Sequence, residues 1–293
     1  MSRNSPPFPW RKHTFEELRS DFLALRERLE NDKPSRTIQK PLVGYKSSNA
    51  FFQKERLCIR SQNKPSATDY WKENYKYVKA YQSNNDLFGK ITFLSFAPSQ
   101  FSPYVAGMIY KYFIKQMGKS VDKFKVIDAY SGFGDRLLGA MALGVSYKGC
   151  DANIRLKIPY ERMVGFFERY NENKSSFQMS FQKSETLSNF PPKDADLFFS
   201  SPPFFKDKKN NELVEEYPGT ESDYEAFMTT SLIPIMSRCL QAGIWVALYI
   251  PQNMYNDLKK IFGRASKLTF RSKINNLNGV YSNSNTIYYW KTN

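Results

Sequence analysis

The sequence has few of the residues that support disulfide, zinc or histidine chemistry. Its three cysteines, Cys58, Cys150 and Cys239, lie far apart and form no CxxC pair. That spacing argues against a disulfide scaffold and a cysteine-based zinc site, and predicts three reduced thiols. The single histidine, His13, lies in a polar N-terminal stretch, which argues against histidine-driven triads and multi-histidine metal sites. We therefore expect no metal.

Long apolar runs are missing as well. No run approaches the roughly 18 residues that a membrane-spanning helix needs. The first ten residues, which contain three prolines, lack the apolar core of a signal peptide. These absences predict a soluble intracellular protein with no membrane contact. It would be cytoplasmic or nuclear, or present at a site of viral replication.

Acidic residues are scarce relative to basic ones. The chain has 43 Lys and Arg against 28 Asp and Glu, a formal net charge of +15, and aromatic residues make up 16%. Positive charge attracts phosphates and aromatic rings stack on bases, so this composition suits a nucleic-acid partner, although a solubilising surface charge fits it equally well. Residues 33–64 hold eight basic residues and one acidic residue, which locates part of the excess.

Residues 1–90 form a basic, partly helical N-terminal extension in this interpretation. Thr14 and Glu17 make a capping box, and apolar residues at helical spacing follow it, which predicts a helix over 15–31. Residues 70–81 predict a second helix. The weakly periodic stretch 33–64 is typical of a nucleic-acid groove or of a solvated connector. Its candidate phosphate contacts are Lys40, Lys46, Lys54 and Arg56.

Residues 91–293 alternate between strands and helices. Ser102 and Pro103 predict an N-cap and first turn of a helix that ends near Met117. The alternation predicts an α/β fold with a doubly wound, seven-stranded, mostly parallel sheet. The predicted strands are 124–127, 147–150, 176–181, 196–199, 244–250, 267–273 and 286–291.

Three strand ends carry residues suited to a nucleotide-like cofactor, because ligands of doubly wound sheets bind there. The first strand ends in Asp128-Ala-Tyr-Ser-Gly-Phe-Gly134, whose glycines permit a tight turn. An acidic residue ahead of the glycines suits the amino acid part of S-adenosylmethionine better than a pyrophosphate, which prefers bare amides. Asp151, after the second strand, is placed to accept hydrogen bonds from ribose hydroxyls or to cap a helix. Ser184 or Glu185, after the third, could bond an adenine amino group.

The fourth strand end carries Ser201-Pro202-Pro203-Phe204. An exocyclic base amine is a poor nucleophile because its lone pair is delocalised into the ring. Acceptors on the Ser201 hydroxyl and the Pro202 carbonyl could pull its N–H bonds out of plane and direct the lone pair at a methyl group. The prolines hold the carbonyl in place, and Phe204 could stack on a flipped base.

These motifs resemble the class I S-adenosylmethionine-dependent nucleic-acid amino-methyltransferases, especially phage- and giant-virus-type DNA methylases. The resemblance covers roughly residues 91–290. It is carried by 128–140, 147–153 and 199–205, with weaker matches at 97–103, at Glu216-Tyr217 and at 220–222. It implies a methyltransferase domain over 91–293 that uses S-adenosylmethionine and no metal. The implied cofactor-binding residues are Phe101, Asp128, Tyr130, Ser131, Gly132, Gly134, Asp151 and Ser184, and the implied catalytic residues are Ser201, Pro202, Pro203 and Phe204.

The sequence departs from the family pattern in two places. Phe204 replaces the more usual Tyr, and Ser201 replaces Asp or Asn, so both adenine N6 and cytosine N4 stay open as targets. Only about 40 residues follow the fifth core strand, which leaves target contacts to the extension and to the loop 206–220. That loop's candidate contacts are Lys206, Lys208 and Lys209.

The expected substrate is DNA, with RNA as the alternative polymer. A second alternative is a catalytically inactive methyltransferase-fold subunit that binds nucleic acid. The expected assembly is a complex with a partner subunit, or otherwise a monomer or homodimer. Ribose 2′-O-methylation is disfavoured because no Lys-Asp-Lys-Glu set is found. Cytosine C5 chemistry is disfavoured because no cysteine follows a proline.

Overall fold

The computed structural model describes residues 6–61, 64–78, 84–186, 190–207, 212–213, 218–219, 221–276 and 279–291. The helices are α1 (Phe15–Asn31), α2 (Tyr45–Leu57), α3 (Ala67–Val78), α4 (Asn84–Leu94), α5 (Pro103–Met117), α6 (Asp135–Leu143), α7 (Lys157–Phe167), α8 (Tyr224–Phe227), α9 (Ile233–Gln241) and α10 (Gln252–Phe262). The strands are β1 (Thr37–Gln39), β2 (Lys125–Asp128), β3 (Ser146–Cys150), β4 (Phe177–Ser180), β5 (Leu197–Ser200), β6 (Phe205–Asp207), β7 (Glu212–Leu213), β8 (Trp245–Tyr249), β9 (Ser266–Asn276) and β10 (Gly279–Trp290).

Eight strands form one mostly parallel sheet in the order β1-β9-β10-β8-β5-β2-β3-β4. Strand β10 runs antiparallel to both of its neighbours, and all other pairings in this sheet are parallel. The order reverses at β2, which lies between β5 and β3, so the loops that follow these strands diverge and leave a crevice. The predicted α/β fold with a doubly wound, mostly parallel sheet is confirmed.

The seven predicted strands are all present as β2, β3, β4, β5, β8, β9 and β10. The eighth strand, β1, comes from the N-terminal extension and pairs in parallel with β9 through Thr37, Ile38 and Gln39. The sequence missed it because three residues with one buried side chain show no periodicity. Helices α2 and α4 were likewise not predicted.

The first part of the N-terminal extension packs into the same hydrophobic core as the sheet, whereas α3 and α4 share a separate cluster. Helix α1 spans the predicted residues, and both hydrogen bonds of its Thr14–Glu17 capping box are present. Its apolar face (Leu18, Phe22, Leu25, Leu29) lies in one cluster with residues of α5, α6 and β2. Gly107 of α5 allows this close approach, since an added Cβ would lie 2.6 Å from the Leu29 side chain.

Helices α8 and α9 belong to one helical stretch that is interrupted. Between α8 and α9, residues Met228–Leu232 form one π-helical turn, which sets Ser231 toward the crevice. Such turns are frequent at functional sites. Within the part of the chain that the structure describes, no helix is both long enough and apolar enough to cross a bilayer.

Candidate active site

A cavity of about 350 Å³ opens at the carboxyl ends of β2, β3, β4 and β5. This volume falls in the range of roughly 300–1,000 Å³ that is usual for small-molecule sites. The cavity is lined by all four residues of the predicted catalytic tetrad. It is also lined by six of the eight predicted cofactor-binding residues: Phe101, Tyr130, Ser131, Gly132, Asp151 and Ser184.

The loop after β2 is held against the end of β3. The Gly132 backbone, with a positive φ of 60°, directs its N–H to Asp151 Oδ2 at 2.8 Å. Asp151 Oδ1 accepts the Asn153 N–H at 2.9 Å. Burial raises the pKa of the Asp151 carboxyl to about 6, against the lowering effect of these two hydrogen bonds. Each oxygen has one backbone donor, which leaves each an acceptor site for a ligand hydroxyl.

The predicted cofactor residue Asp128 lies beneath the cavity and is absent from its lining. It is fully buried and accepts hydrogen bonds from Arg136 Nε at 2.6 Å, Tyr147 Oη at 2.6 Å and Ser200 Oγ at 2.5 Å. Arg136 also donates to the Tyr130 carbonyl. Asp128 therefore ties together β2, β3, α6 and the end of β5, directly ahead of the tetrad.

Gly134, the other predicted cofactor residue that does not line the cavity, is a packing position instead. It precedes α6 with a φ of 77°, and its N–H donates to Tyr160 Oη at 3.1 Å. An added Cβ would lie 2.4 Å from the Phe52 ring, so glycine here lets α2 approach the loop. The N-terminal extension thus contacts the cofactor-loop motif directly.

The tetrad follows the end of β5 and lines the cavity. Just before it, Ser200 Oγ accepts the Tyr130 N–H at 3.1 Å, which ties the tetrad to the β2 loop. Phe204 meets Tyr249 edge to face, with ring centroids 5.5 Å apart. Phe101 and Phe270 pack on the same tyrosine at 5.6 and 5.5 Å. We name Phe101, Phe204, Tyr249 and Phe270 the aromatic wall.

The opposite part of the cavity is polar and linked to the π-helical turn. Tyr130 Oη and Ser231 Oγ are 2.7 Å apart, and Ser231 Oγ donates to Glu185 Oε2 at 3.1 Å. Ser184 is buried beside them and also bonds Glu185, at 3.3 Å. Sequence reasoning missed Ser231, because nothing in the local pattern marks a π turn.

Asp135 is a second missed residue. It is the first residue of α6, only 4% exposed, and lines the cavity. Ser48 Oγ of α2 donates to Asp135 Oδ1 at 2.5 Å. Burial raises the pKa of Asp135 to about 7, although Arg56, Arg136 and Lys40 lower it. Its position directly after the glycine loop was a usable signal.

The predicted nucleic-acid contacts of the extension fall in different places. Lys46 and Lys54 are exposed on α2. Lys40 lines the cavity, with its Nζ 5.3 Å from the centre of the Tyr45 ring. Arg56 is buried instead and donates to the Pro98 carbonyl at 2.9 Å and Asn49 Oδ1 at 2.7 Å, so its prediction as a surface contact does not match its position.

The loop after the tetrad is described only in part. Lys208, Lys209, Glu216, Tyr217 and Thr220 lie outside the described residues, as does the side chain of Lys206. Gly219 and Glu221, the neighbours of Thr220 in the chain, line the cavity. Among the described residues, no group of three or more His, Cys, Asp or Glu side chains is arranged to hold a metal ion.

The chain was compared with known families, curated proteins and solved structures. No family model matches, and no curated protein shows significant sequence similarity. The human methyltransferase 10 domain containing protein is 13% identical over 66% of this chain and 84% of its own, with a TM-score of 0.43.

Two further structures are named as methyltransferases or methylases. A METTL16 methyltransferase domain is 10% identical over 95% of this chain and 92% of its own, with a TM-score of 0.42. An rRNA methylase from Streptococcus thermophilus is 12% identical over 67% of this chain and 100% of its own, with a TM-score of 0.39. None of the three is named as a phage or giant-virus DNA methylase. TM-scores this low support no statement about function, which rests on the cavity itself.

Proposed function

We propose that this protein transfers a methyl group from S-adenosylmethionine to an exocyclic amine of a nucleic-acid base. One observation carries the proposal: the Ser201–Phe204 tetrad and the Asp151 carboxylate with its glycine loop line the same cavity. A nucleophile-activating element and a nucleoside-binding element thereby share one site at the switch point of the sheet. The acceptor is adenine N6 or cytosine N4.

The cavity residues fit the cofactor by their chemistry. Asp151 offers one unused acceptor site on each oxygen, which suits the two hydroxyls of a ribose. Ser184 and Glu185, beside the Tyr130–Ser231 pair, offer polar groups for an adenine edge. When bound, S-adenosylmethionine supplies an electrophilic methyl group. Asp128 supports this site from below by holding Arg136 and Ser200.

The tetrad would prepare the amine for attack. The Ser201 hydroxyl and the Pro202 carbonyl accept its two N–H bonds, which directs the nitrogen lone pair toward the methyl group. The amine nitrogen would form a bond to the methyl carbon as the bond between that carbon and sulfur breaks. The thioether S-adenosylhomocysteine would leave with the bonding electron pair, and the methylated nitrogen would release one proton to solvent. Phe204 would stack on the base. Tyr249, which packs on both Phe204 and Phe270 in the aromatic wall, would keep the Phe204 ring in place. A base can reach this depth only when it is flipped out of a duplex or single-stranded.

The charge of the chain suits a polynucleotide. Lys46 and Lys54 are exposed on α2, which packs on the cofactor loop through Phe52, so they lie on the surface of the element that borders the site. Together with the net charge of +15, they would contact backbone phosphates. DNA and RNA carry the same exocyclic amines, so both polymers are proposed as substrates to be tested side by side.

A methyl-transfer assay tests the proposal. Wild-type protein is incubated with tritiated S-adenosylmethionine and either DNA or RNA, and we expect label in at least one polymer. The Ser201→Ala, Phe204→Ala double variant should lose the activity while still binding S-adenosylhomocysteine, because neither substitution touches the Asp151 side of the cavity.

Each opposite outcome has a definite meaning. Absence of incorporation on every substrate, with cofactor binding retained, would favour the binding subunit over the enzyme. Full activity of the double variant would show that the tetrad is not the amine site. A matched control is Ser35→Ala, which changes an exposed serine of the extension and should leave activity unaltered.

A further inference from the structure

Asp135 and Lys40 are oppositely charged residues of the cavity lining that have no part in the tetrad or in the proposed ribose contact. Asp135 begins α6, and Lys40 follows β1. They interact across the cavity, since Lys40 lowers the pKa of Asp135 and Asp135 opposes the lowering of the Lys40 pKa by burial. Yet the two groups form no salt bridge. A pair of charges held apart in a cavity suits a ligand that carries both signs.

We propose that Asp135 and Lys40 form a zwitterion subsite that holds the amino acid part of the cofactor, with Asp135 on the ammonium group and Lys40 on the carboxylate. This inference rests on the proposed function and extends it to a second part of the same ligand. It places the ammonium group on Asp135 rather than on Asp128, the acidic residue that the sequence analysis matched to the amino acid part of the cofactor.

Asp128 is poorly placed for that role. Its carboxylate already accepts five hydrogen bonds, two of them from the Arg136 guanidinium, and the residue is absent from the cavity lining. Its charge is balanced inside the fold. A ligand ammonium gains little from a carboxylate that is both covered and paired.

Asp135 has the opposite properties. It reaches the cavity and accepts one good hydrogen bond, from the neutral Ser48 hydroxyl. Gln100 Nε2 lies at 3.5 Å, the outer limit of a hydrogen bond. The charged groups that face Asp135 are Lys40, Arg56 and Arg136. The last two are engaged elsewhere, Arg56 with a carbonyl and an amide oxygen and Arg136 with Asp128.

Burial without an ion pair makes this carboxylate ready for a cation. The pKa of Asp135 near 7 means that its ionised form is poorly stabilised by the protein alone. A bound ammonium would favour the ionised form and lower that pKa. Cofactor affinity should therefore rise with pH between 6 and 7.5, because a smaller fraction of the molecules then has a protonated Asp135 that must lose its proton upon binding.

The N-terminal extension contributes to both halves of this subsite. Lys40 belongs to it, and so does Ser48, which orients Asp135 from α2. The extension would thus act on the small-molecule cofactor as well as on the polymer. Lys40, predicted as a phosphate contact, takes the carboxylate instead.

Calorimetric titration with three ligands tests the assignment. S-adenosylhomocysteine carries both charges, 5′-deoxy-5′-(3-aminopropylthio)adenosine keeps the ammonium but lacks the carboxylate, and 5′-methylthioadenosine lacks both. Asp135→Asn should weaken the first two ligands by about tenfold or more, the scale of one charge-assisted contact. Lys40→Met should weaken only the first. Neither variant should change the affinity for 5′-methylthioadenosine by more than about twofold.

The titrations separate the possible failures. Equal loss of all three ligands in Asp135→Asn would overturn the subsite, because the substitution would then disturb the whole cavity. Unchanged affinity for S-adenosylhomocysteine in both variants would overturn it as well. Ser48→Ala is the second, milder variant and should weaken the two ammonium-bearing ligands selectively. If the wild type binds none of the three ligands, the proposed function fails and the subsite fails with it.

Discussion

Asp128→Asn should destabilise the protein far more than an ordinary substitution of a charged residue. The side chains of Asp128 and Arg136 are 0% and 6% exposed, and they are 2.6 Å apart. Removal of one partner from a buried ion pair costs about 3–5 kcal/mol, because the other charge is left uncompensated. Asparagine adds to the loss, because its NH₂ group replaces one carboxylate oxygen and cannot accept a hydrogen bond there, whether from Ser200 at Oδ1 or from Tyr147 at Oδ2.

Urea unfolding, followed by circular dichroism, measures this loss as a shift of the midpoint at constant slope. The matched control is Asp194→Asn, which breaks an exposed ion pair. The side chains of Lys125 and Asp194 in that pair are 47% and 65% exposed. Exposed pairs contribute about 0–1 kcal/mol, so the control should unfold near the wild-type midpoint. Asp128→Asn combined with Arg136→Met should recover part of the lost stability, because no unpaired charge remains.

A small effect would refute this account of Asp128. If Asp128→Asn lowers the unfolding free energy by less than about 1 kcal/mol, the carboxylate does not hold the site together as a paired buried charge. A variant of normal stability that selectively loses cofactor affinity would return Asp128 to the role that the family resemblance implied.

Three further predictions follow from the site and its surroundings. Gly134→Ala should lower the free energy of unfolding by about 1–3 kcal/mol in urea, because its φ of 77° disfavours a side chain and the new Cβ would meet Phe52. An unchanged urea midpoint would contradict the close packing of Phe52 on this glycine. The unfolding free energy should fall as pH rises from about 4 to 7, because the folded-state pKa of Asp135 is raised above its unfolded value. Asp135→Asn should make that decrease smaller. If the variant and the wild type have the same pH profile of unfolding free energy, Asp135 does not contribute to the decrease. Lys46→Glu with Lys54→Glu should weaken nucleic-acid binding and its salt dependence, measured by fluorescence anisotropy, while S-adenosylhomocysteine affinity stays unchanged; unaltered binding would show that this surface does not touch the polymer.

The elements with strong local signals were predicted well. The Thr14–Glu17 capping box marks the start of α1, and Ser102 with Pro103 marks the start of α5; both begin at the predicted residue. The seven core strands were found because each is a short stretch between helical patterns or turn signals; β8 is an unbroken apolar run, whereas β3 and β4 are not. Loop positions at their carboxyl ends followed from the topology alone, which is why most predicted site residues meet in one cavity.

Helix α2 was missed for a physical reason. Five of its seven buried residues are polar or charged (Ser47, Ser48, Asn49, Gln53 and Arg56), so its inner face is mostly polar and shows no clear apolar period. These side chains are satisfied by distant partners, such as Asp21 for Ser47 and Asp135 for Ser48. Only tertiary structure brings such partners together, so a sequence pattern cannot reveal them.

The roles of the acidic residues also depended on tertiary contacts. Asp128 and Asp135 flank the same glycine loop and look equally suited to a ligand. The first is neutralised by Arg136, one residue beyond the second, while the second stays open to the cavity. Which carboxylate is paired depends on the direction of the Arg136 side chain.

Mass spectrometry of nucleosides tests the central claim most directly. DNA and RNA are incubated separately with the protein and methyl-deuterated S-adenosylmethionine, and then digested to nucleosides. We expect deuterated N6-methyladenine or N4-methylcytosine from at least one polymer, and none from the Ser201→Ala, Phe204→Ala double variant. Deuterium found only on a ring carbon or a ribose oxygen, or in no nucleoside at all, would contradict amine methylation by this site.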